Sequence, residues 1–181
     1  MSNLIGLLSR LMLFSITTML ILSCTFSPEN EVAEKPVFKC LPCGLDCDMV
    51  LYEKEGICKH CEMELVPAST ITFKTIEPSA ICEYISQHPE VVLLDVRTKE
   101  EFEGNTEPDF GTLKNAINLP IQELEANMTS LEQYKNKDII VFCSHSHRSP
   151  RASYMLTQNG FKRVTNMAGG MSVLADSSCK K

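Results

Sequence analysis

Positive charge is in short supply in this chain of 181 residues: 17 Lys and Arg stand against 23 Asp and Glu, for a formal net charge of −6. A nucleic-acid binder needs a basic face before anything else, so that class is set aside. The carboxylates and the four His are not gathered into blocks that would suit a charged partner. Long apolar runs are also missing. The apolar segment at 11–24 falls short of the roughly 20 residues that a bilayer-spanning helix requires. Cysteine, by contrast, is abundant, with nine residues.

The short apolar segment follows Arg10 and ends in Ile21-Leu22-Ser23-Cys24. A cationic residue before a short apolar core suits a signal peptide over 1–23, and the ending resembles the bacterial lipobox, whose cysteine is lipidated and becomes the mature N-terminus. That resemblance implies a membrane anchor through lipidated Cys24. An uncleaved anchor is the alternative. Residues 24–36, polar and acidic with two prolines, read as a tether. Either way the folded part is expected outside the cytoplasm, held at the cell envelope and facing the periplasm or exterior. The 24–181 remainder is long enough for a real core.

Many cysteines in an exported protein usually mean a disulfide framework, but the spacing points elsewhere. Cys40-x2-Cys43 and Cys58-x2-Cys61 form two pairs, with Cys47 as a fifth thiol between them. Two such pairs supply four thiolates in the tetrahedral arrangement of a zinc site. Met49, Met63 and His60 add ligands that would also suit copper(I). Gly44 and Gly56 flank the pairs and suit turns that aim backbone N–H groups at sulfur. So short a segment, 37–68, cannot bury a sufficient core alone and needs a metal or disulfides. A disulfide knot is the competing reading. Gly56-Ile57-Cys58-Lys59-His60-Cys61-Glu62-Met63-Glu64-Leu65-Val66-Pro67 is similar to the second half of the heavy-metal-binding module of metal efflux systems. It departs from that module at Lys59 and Glu62. Cys82 and Cys179 stand apart, and spacing alone leaves them inert, paired, or available to resolve another thiol.

The most informative stretch is 139–160. The run Ile139-Ile140-Val141-Phe142 predicts a central parallel strand buried on both faces. It delivers Cys143 into a polar loop, Ser144-His145-Ser146-His147-Arg148, with Ser149 as expected N-cap, Pro150 at the first helical position and Gly160 as stop. A thiol in front of a helix N-terminus, with Arg148 nearby, sits where free N–H groups and positive charge favour an anionic sulfur and bound anions. Nucleophilic or sulfur-transfer chemistry is the expectation.

Beyond residue 71, strands are predicted at 72–74, 91–95, 116–118, 139–142 and 163–166, and helices at 78–87, 99–103, 131–134, 150–158 and 170–175. This alternation implies βαβ units and a parallel sheet. Leu93-Leu94-Asp95-Val96-Arg97-Thr98-Lys99-Glu100-Glu101-Phe102, Gly111-Thr112-Leu113-Lys114-Asn115-Ala116-Ile117-Asn118-Leu119-Pro120 and the Cys143–Ser149 loop occur in order. On these motifs residues 71–176 resemble a single rhodanese domain. The expected architecture is therefore α/β, a rhodanese-like parallel sheet flanked by helices and preceded by a small zinc-ribbon-like cysteine module. The resemblance implies a sulfurtransferase in which Cys143 takes sulfane sulfur from a small donor such as thiosulfate, becomes a persulfide, and passes the sulfur to a thiol or cyanide. No cofactor is needed for that step. Arg148 would stabilise the anionic donor, and backbone N–H groups from Ser144 to Ser149 would cradle the outer sulfur. Asp95 and Arg97 are expected to form an ion pair bracing the loop from beneath. Arg148 lies five residues after Cys143, which suits a sulfur-sized loop better than the six-residue spacing of phosphatases. Ser146 replaces the usual Gly, at a strain cost of roughly 1 kcal/mol if the position needs positive φ. His145 and His147 could instead make this a non-catalytic metal sensor or chaperone.

Overall fold

In the computed structural model, which describes residues 35–181, the Ile139–Phe142 run forms the central strand of a five-stranded parallel sheet. In chain order the elements are β1 (Phe38–Lys39), β2 (Val66–Pro67), β3 (Lys74–Ile76), α1 (Pro78–Gln87), β4 (Val92–Asp95), α2 (Lys99–Glu103), β5 (Ile117–Asn118), α3 (Ile121–Leu124), β6 (Ile139–Phe142), α4 (Arg148–Gln158) and β7 (Val164–Met167). The sheet order is β3-β7-β6-β4-β5. β6 pairs Ile140 with Leu93 of β4 and Val141 with Asn166 of β7. The segments expected as signal peptide and tether, up to residue 34, and the expected lipidation site Cys24 lie outside the described residues. Among the described residues no helix is long and apolar enough to cross a membrane.

Alternation along β6 divides the core. Ile139 and Val141 join Leu94, Ala152, Leu156 and Phe161 on one face, while Ile140 and Phe142 join Ile81, Leu93, Met167 and Met171 on the other. Both faces of the strand are fully buried, as its unbroken apolar run requires. On the second face Cys82 of α1 is disulfide-bonded to Cys179, so the two isolated cysteines are a pair.

The cysteine segment is built on the antiparallel β1–β2 pair and a 3-10 turn, Asp46–Met49. It lies against the sheet rather than apart from it. Cys40, Leu41, Met63, Leu65 and Val66 belong to the same buried cluster as Val141 and Leu156. The Asn166 side chain donates to the Pro42 carbonyl at 3.3 Å, and the Thr70 and Tyr154 hydroxyls meet at 3.0 Å.

Several boundaries differ from the sequence expectation. The first sheet strand lies at 74–76 rather than 72–74, in register with Thr165–Met167. The segments expected as helices at 131–134 and 170–175 are 3-10 helices, Met128–Tyr134 and Met171–Val173. Helix α3 was not anticipated; Pro120 directly before it is the start signal. α4 begins at Arg148 with His147 as N-cap, not at Pro150 with Ser149 as cap. Pro150 still falls in the first turn, where its missing N–H costs nothing.

Candidate active site and cysteine cluster

Cys143 follows the last residue of β6 at the carboxyl edge of the sheet and is 1% exposed. Ligands in open α/β sheets bind at this edge. The Ser149 N–H in the first turn of α4 points at the Cys143 sulfur from 3.4 Å, and the thiol donates to Ser149 Oγ at 3.3 Å. Ser149 lies inside the first turn rather than before it, with its hydroxyl turned to the sulfur. The loop is closed from the far side by Gly170, since a Cβ there would lie 2.4 Å from the Ser144 carbonyl oxygen and 2.5 Å from that of Cys143. Met171 and Ser172 N–H groups donate to those same carbonyls at 2.8 and 3.0 Å.

Arg148 makes a two-pronged ion pair with Glu101, at 2.6 Å from Nη1 to Oε2 and 2.8 Å from Nη2 to Oε1. Ser144 Oγ donates to the same carboxylate at 2.8 Å. Sequence reasoning placed Arg148 toward the sulfur and gave Glu101 no role, although Glu101 stands in the quoted Asp-Val-Arg motif. Glu101 also closes a capping box on α2, with the Thr98 N–H donating to Oε2 at 3.0 Å and the Glu101 N–H to Thr98 Oγ1 at 3.3 Å. The Arg148 guanidinium holds the Glu101 carboxyl down at about 2, and Glu101 in turn raises Arg148 above its ordinary value.

Asp95 and Arg97 form a buried ion pair, Nη2 to Oδ2 at 2.7 Å, with both side chains at most 1% exposed. Arg97 also donates to the Gly111 carbonyl at 2.9 Å, and Thr112 Oγ1 donates to Asp95 Oδ2 at 3.0 Å. The pair ties the end of β4 to the Gly111-Thr112 segment. Ser146 adopts φ 58°, the left-handed region, with its hydroxyl buried and unpartnered. His145 is exposed with its ring edge-on to Phe110 at 5.3 Å, and exposed His147 bonds the His145 carbonyl at 3.1 Å.

In the cysteine segment the sulfurs of Cys40, Cys47, Cys58 and Cys61 lie within 4.8 Å of one another, and all four residues are buried. Tetrahedral zinc–thiolate bonds of about 2.3 Å place neighbouring sulfurs about 4 Å apart, so the four could hold a metal ion. Cys47, the fifth thiol of the sequence reading, stands in this set where Cys43 does not, because the Asp46–Met49 turn carries Cys47 inward. Cys43 instead sits 3.6 Å from Cys47 and 3.3 Å from Asp48 Oδ1, sulfur to partner atom. The Gly44 N–H serves Asp48 Oδ2 at 2.8 Å rather than a sulfur. Burial pushes the Cys40, Cys43 and Cys61 thiols up. Burial also acts on Cys58, but the Cys61 and His60 N–H groups and the Tyr52 hydroxyl outweigh it and bring that thiol down to about 6. Neither loop histidine belongs to a metal-holding group among the described residues. A cleft of about 360 Å³ separates the two regions, lined by Ile57, Cys61, Met63 and Glu64 on one wall and His147, Arg148 and Arg151 on the other.

Comparison with known proteins fits this geometry. A sulfurtransferase of Allochromatium vinosum is 28% identical over 96 residues, covering 53% of this chain and 82% of its own length. The tRNA uridine(34) hydroxylase of Cronobacter sakazakii is 26% identical over 118 residues, 59% of this chain but 32% of that protein, so the chain spans about a third of such relatives. A crystal structure from Staphylococcus saprophyticus superposes with a TM-score of 0.50 at 24% identity, over 60% of this chain and 99% of that one, a likeness of fold. The rhodanese-like domain family matches residues 82–176, which is more than half of the chain and takes in the Asp95–Arg97 pair, Glu101 and the whole Cys143 loop; the chain belongs to that family.

Proposed function

We propose that this protein is a sulfurtransferase that carries sulfane sulfur as a persulfide on Cys143. The observation that carries the reading is the thiol itself, at the carboxyl end of the central strand with the α4 N-terminus donating to its sulfur. In the first half-reaction the Cys143 thiolate attacks the outer sulfur of a thiosulfate-type donor. The new S–S bond forms as the donor's S–S bond breaks, and the bond pair leaves with sulfite. In the second, an acceptor thiolate or cyanide attacks the outer sulfur and the electron pair returns to Cys143. Negative charge therefore sits on the outer sulfur or on the leaving thiolate throughout. The Ser149 N–H and the α4 dipole favour that charge. In this reading Arg148, fixed by Glu101 and Ser144, contributes a positively charged wall rather than a direct bond to the thiol. Asp95 and Arg97 are positioning residues beneath the loop.

The proposal includes an exported lipoprotein anchored through Cys24, with the folded unit at the cell envelope; the Cys82–Cys179 pair suits an oxidising compartment. The cysteine module would hold zinc or a soft ion such as copper. The hydroxylase activity named for longer relatives is a poorer reading, because an acidic chain offers little to a tRNA. A non-catalytic metal-binding role gains some support from the strained Ser146.

The test is mass measurement of the reduced protein after thiosulfate and desalting. Wild type should gain one sulfur atom that cyanide removes, and Cys143→Ser should gain none. Equal gain in the variant, or none in wild type with the thiol shown to be free, would defeat the proposal.

A further inference from the structure

The four-cysteine set leaves one thiol and one carboxylate beside it unused. Cys43 is 4% exposed, its sulfur 3.6 Å from that of Cys47 and 3.3 Å from Asp48 Oδ1. These three donor atoms lie within 4.8 Å of one another and form a second metal-holding group, whose one member in common with the first is Cys47. Asp48 is fixed in place: the Cys43 N–H donates to Oδ1 at 3.0 Å and the Gly44 N–H to Oδ2 at 2.8 Å. Such bonds orient a ligating carboxylate without consuming all of its lone pairs. Both Cys47 and Asp48 come from the single 3-10 turn Asp46–Met49, whose geometry aims one sulfur between the two groups.

From this juxtaposition we propose that the module holds two zinc-class ions bridged by the Cys47 thiolate. The first is bound by Cys40, Cys47, Cys58 and Cys61. The second is bound by Cys47, Cys43 and one Asp48 oxygen, with a solvent molecule completing four-coordination. The reading rests on the four-cysteine set and extends it.

Charge supports the pairing. One divalent ion among four thiolates leaves two net negative charges in a buried site, and the Asp48 carboxylate adds a third. A second divalent ion that also converts the Cys43 thiol to thiolate lowers that total to two, with the opposite charges in direct contact. Thiolate sulfur has the lone pairs to bridge, and a borderline-soft ion without geometric preference tolerates the mixed S2O set. Binding releases the thiol protons to solvent and involves no redox change.

The open coordination position distinguishes the second ion. It should bind more weakly than the first and exchange faster, because three protein donors hold it instead of four.

The experiment uses the full chain, reduced, stripped of metal and confirmed by mass to have free module thiols, titrated with zinc and read by native mass spectrometry. Wild type is expected to take two zinc ions in separable steps. Cys43→Ser and Asp48→Asn should each take one ion and keep the tighter step, which also shows that the module still folds. With cadmium-113, wild type should give two resonances split by coupling through the shared sulfur, and Cys43→Ser one unsplit resonance. A single zinc ion in wild type, or two in Cys43→Ser, would overturn the bridged pair while leaving the four-cysteine reading intact. No zinc in any form would overturn both.

Discussion

Ser146 carries the main local conflict in the active-site loop. Its φ of 58° costs a non-glycine residue roughly 1–2 kcal/mol, and its buried hydroxyl, without a partner, adds about 1–3 kcal/mol. Glycine would remove both, less about 0.5–1 kcal/mol for the added freedom of the unfolded chain. Ser146→Gly is therefore expected to raise the free energy of unfolding by about 1 kcal/mol or more, read from the urea midpoint at unchanged slope. A neutral or destabilising result would mean that the loop relies on this serine. The conflict was legible in the sequence, because a serine stood where the motif has glycine. Asn115 also lies in the left-handed region, at φ 61°, but asparagine tolerates it better. Glu101 was harder to see. Its motif position was visible, but its partner lies 47 residues away in sequence, and only the fold of β4 beside β6 brings the two together.

At the scale of elements, Glu101 links the start of α2 to the start of α4. Its carboxyl titrates near 4.5 when unfolded and at about 2 when folded. A depressed folded value contributes stability that is fully present above pH 4.5 and is lost as pH falls toward 2. Its side chain and that of Arg148 are 21% and 26% exposed, so solvent screening trims the contribution to about 2 kcal/mol. Glu101→Gln should lose about that much at neutral pH and flatten the fall in stability between pH 4.5 and 2, measured by urea unfolding across that range. An unchanged acid profile would place the acid sensitivity elsewhere. Elements with strong signals were read nearly in place: the apolar run of β6, and α1, whose ends match the expected 78–87. The 3-10 segments were read as α-helix because apolar spacing alone does not separate i+3 from i+4 bonding over so few residues. Cys43 and Cys47 exchanged places for a related reason. Spacing suggested two equivalent pairs, and only the Asp46–Met49 turn decides which sulfur faces inward.

Two long-range ties stand out among the described residues of the whole molecule. The Cys82–Cys179 bond spans 97 residues and joins α1 to the C-terminal segment. Closing a loop of that length constrains the unfolded chain, and removing such a bond typically costs 2–5 kcal/mol. The double variant Cys82→Ala/Cys179→Ala should lose an amount within about that range in urea unfolding, with the Cys143 thiosulfate reaction retained at low temperature. The second tie is the shared core of the cysteine segment and the sheet. Leu65 and Val66 sit in one buried cluster with Ala152, Leu156 and Phe161. The segment shares its buried core with the sheet and α4, so its removal would bare an oily face on the host. A graft onto another member of the family would need a recipient whose helix presents the matching surface, and sequence drift on either side must be answered on the other. The module and its sheet are thus expected to unfold together, as one unit.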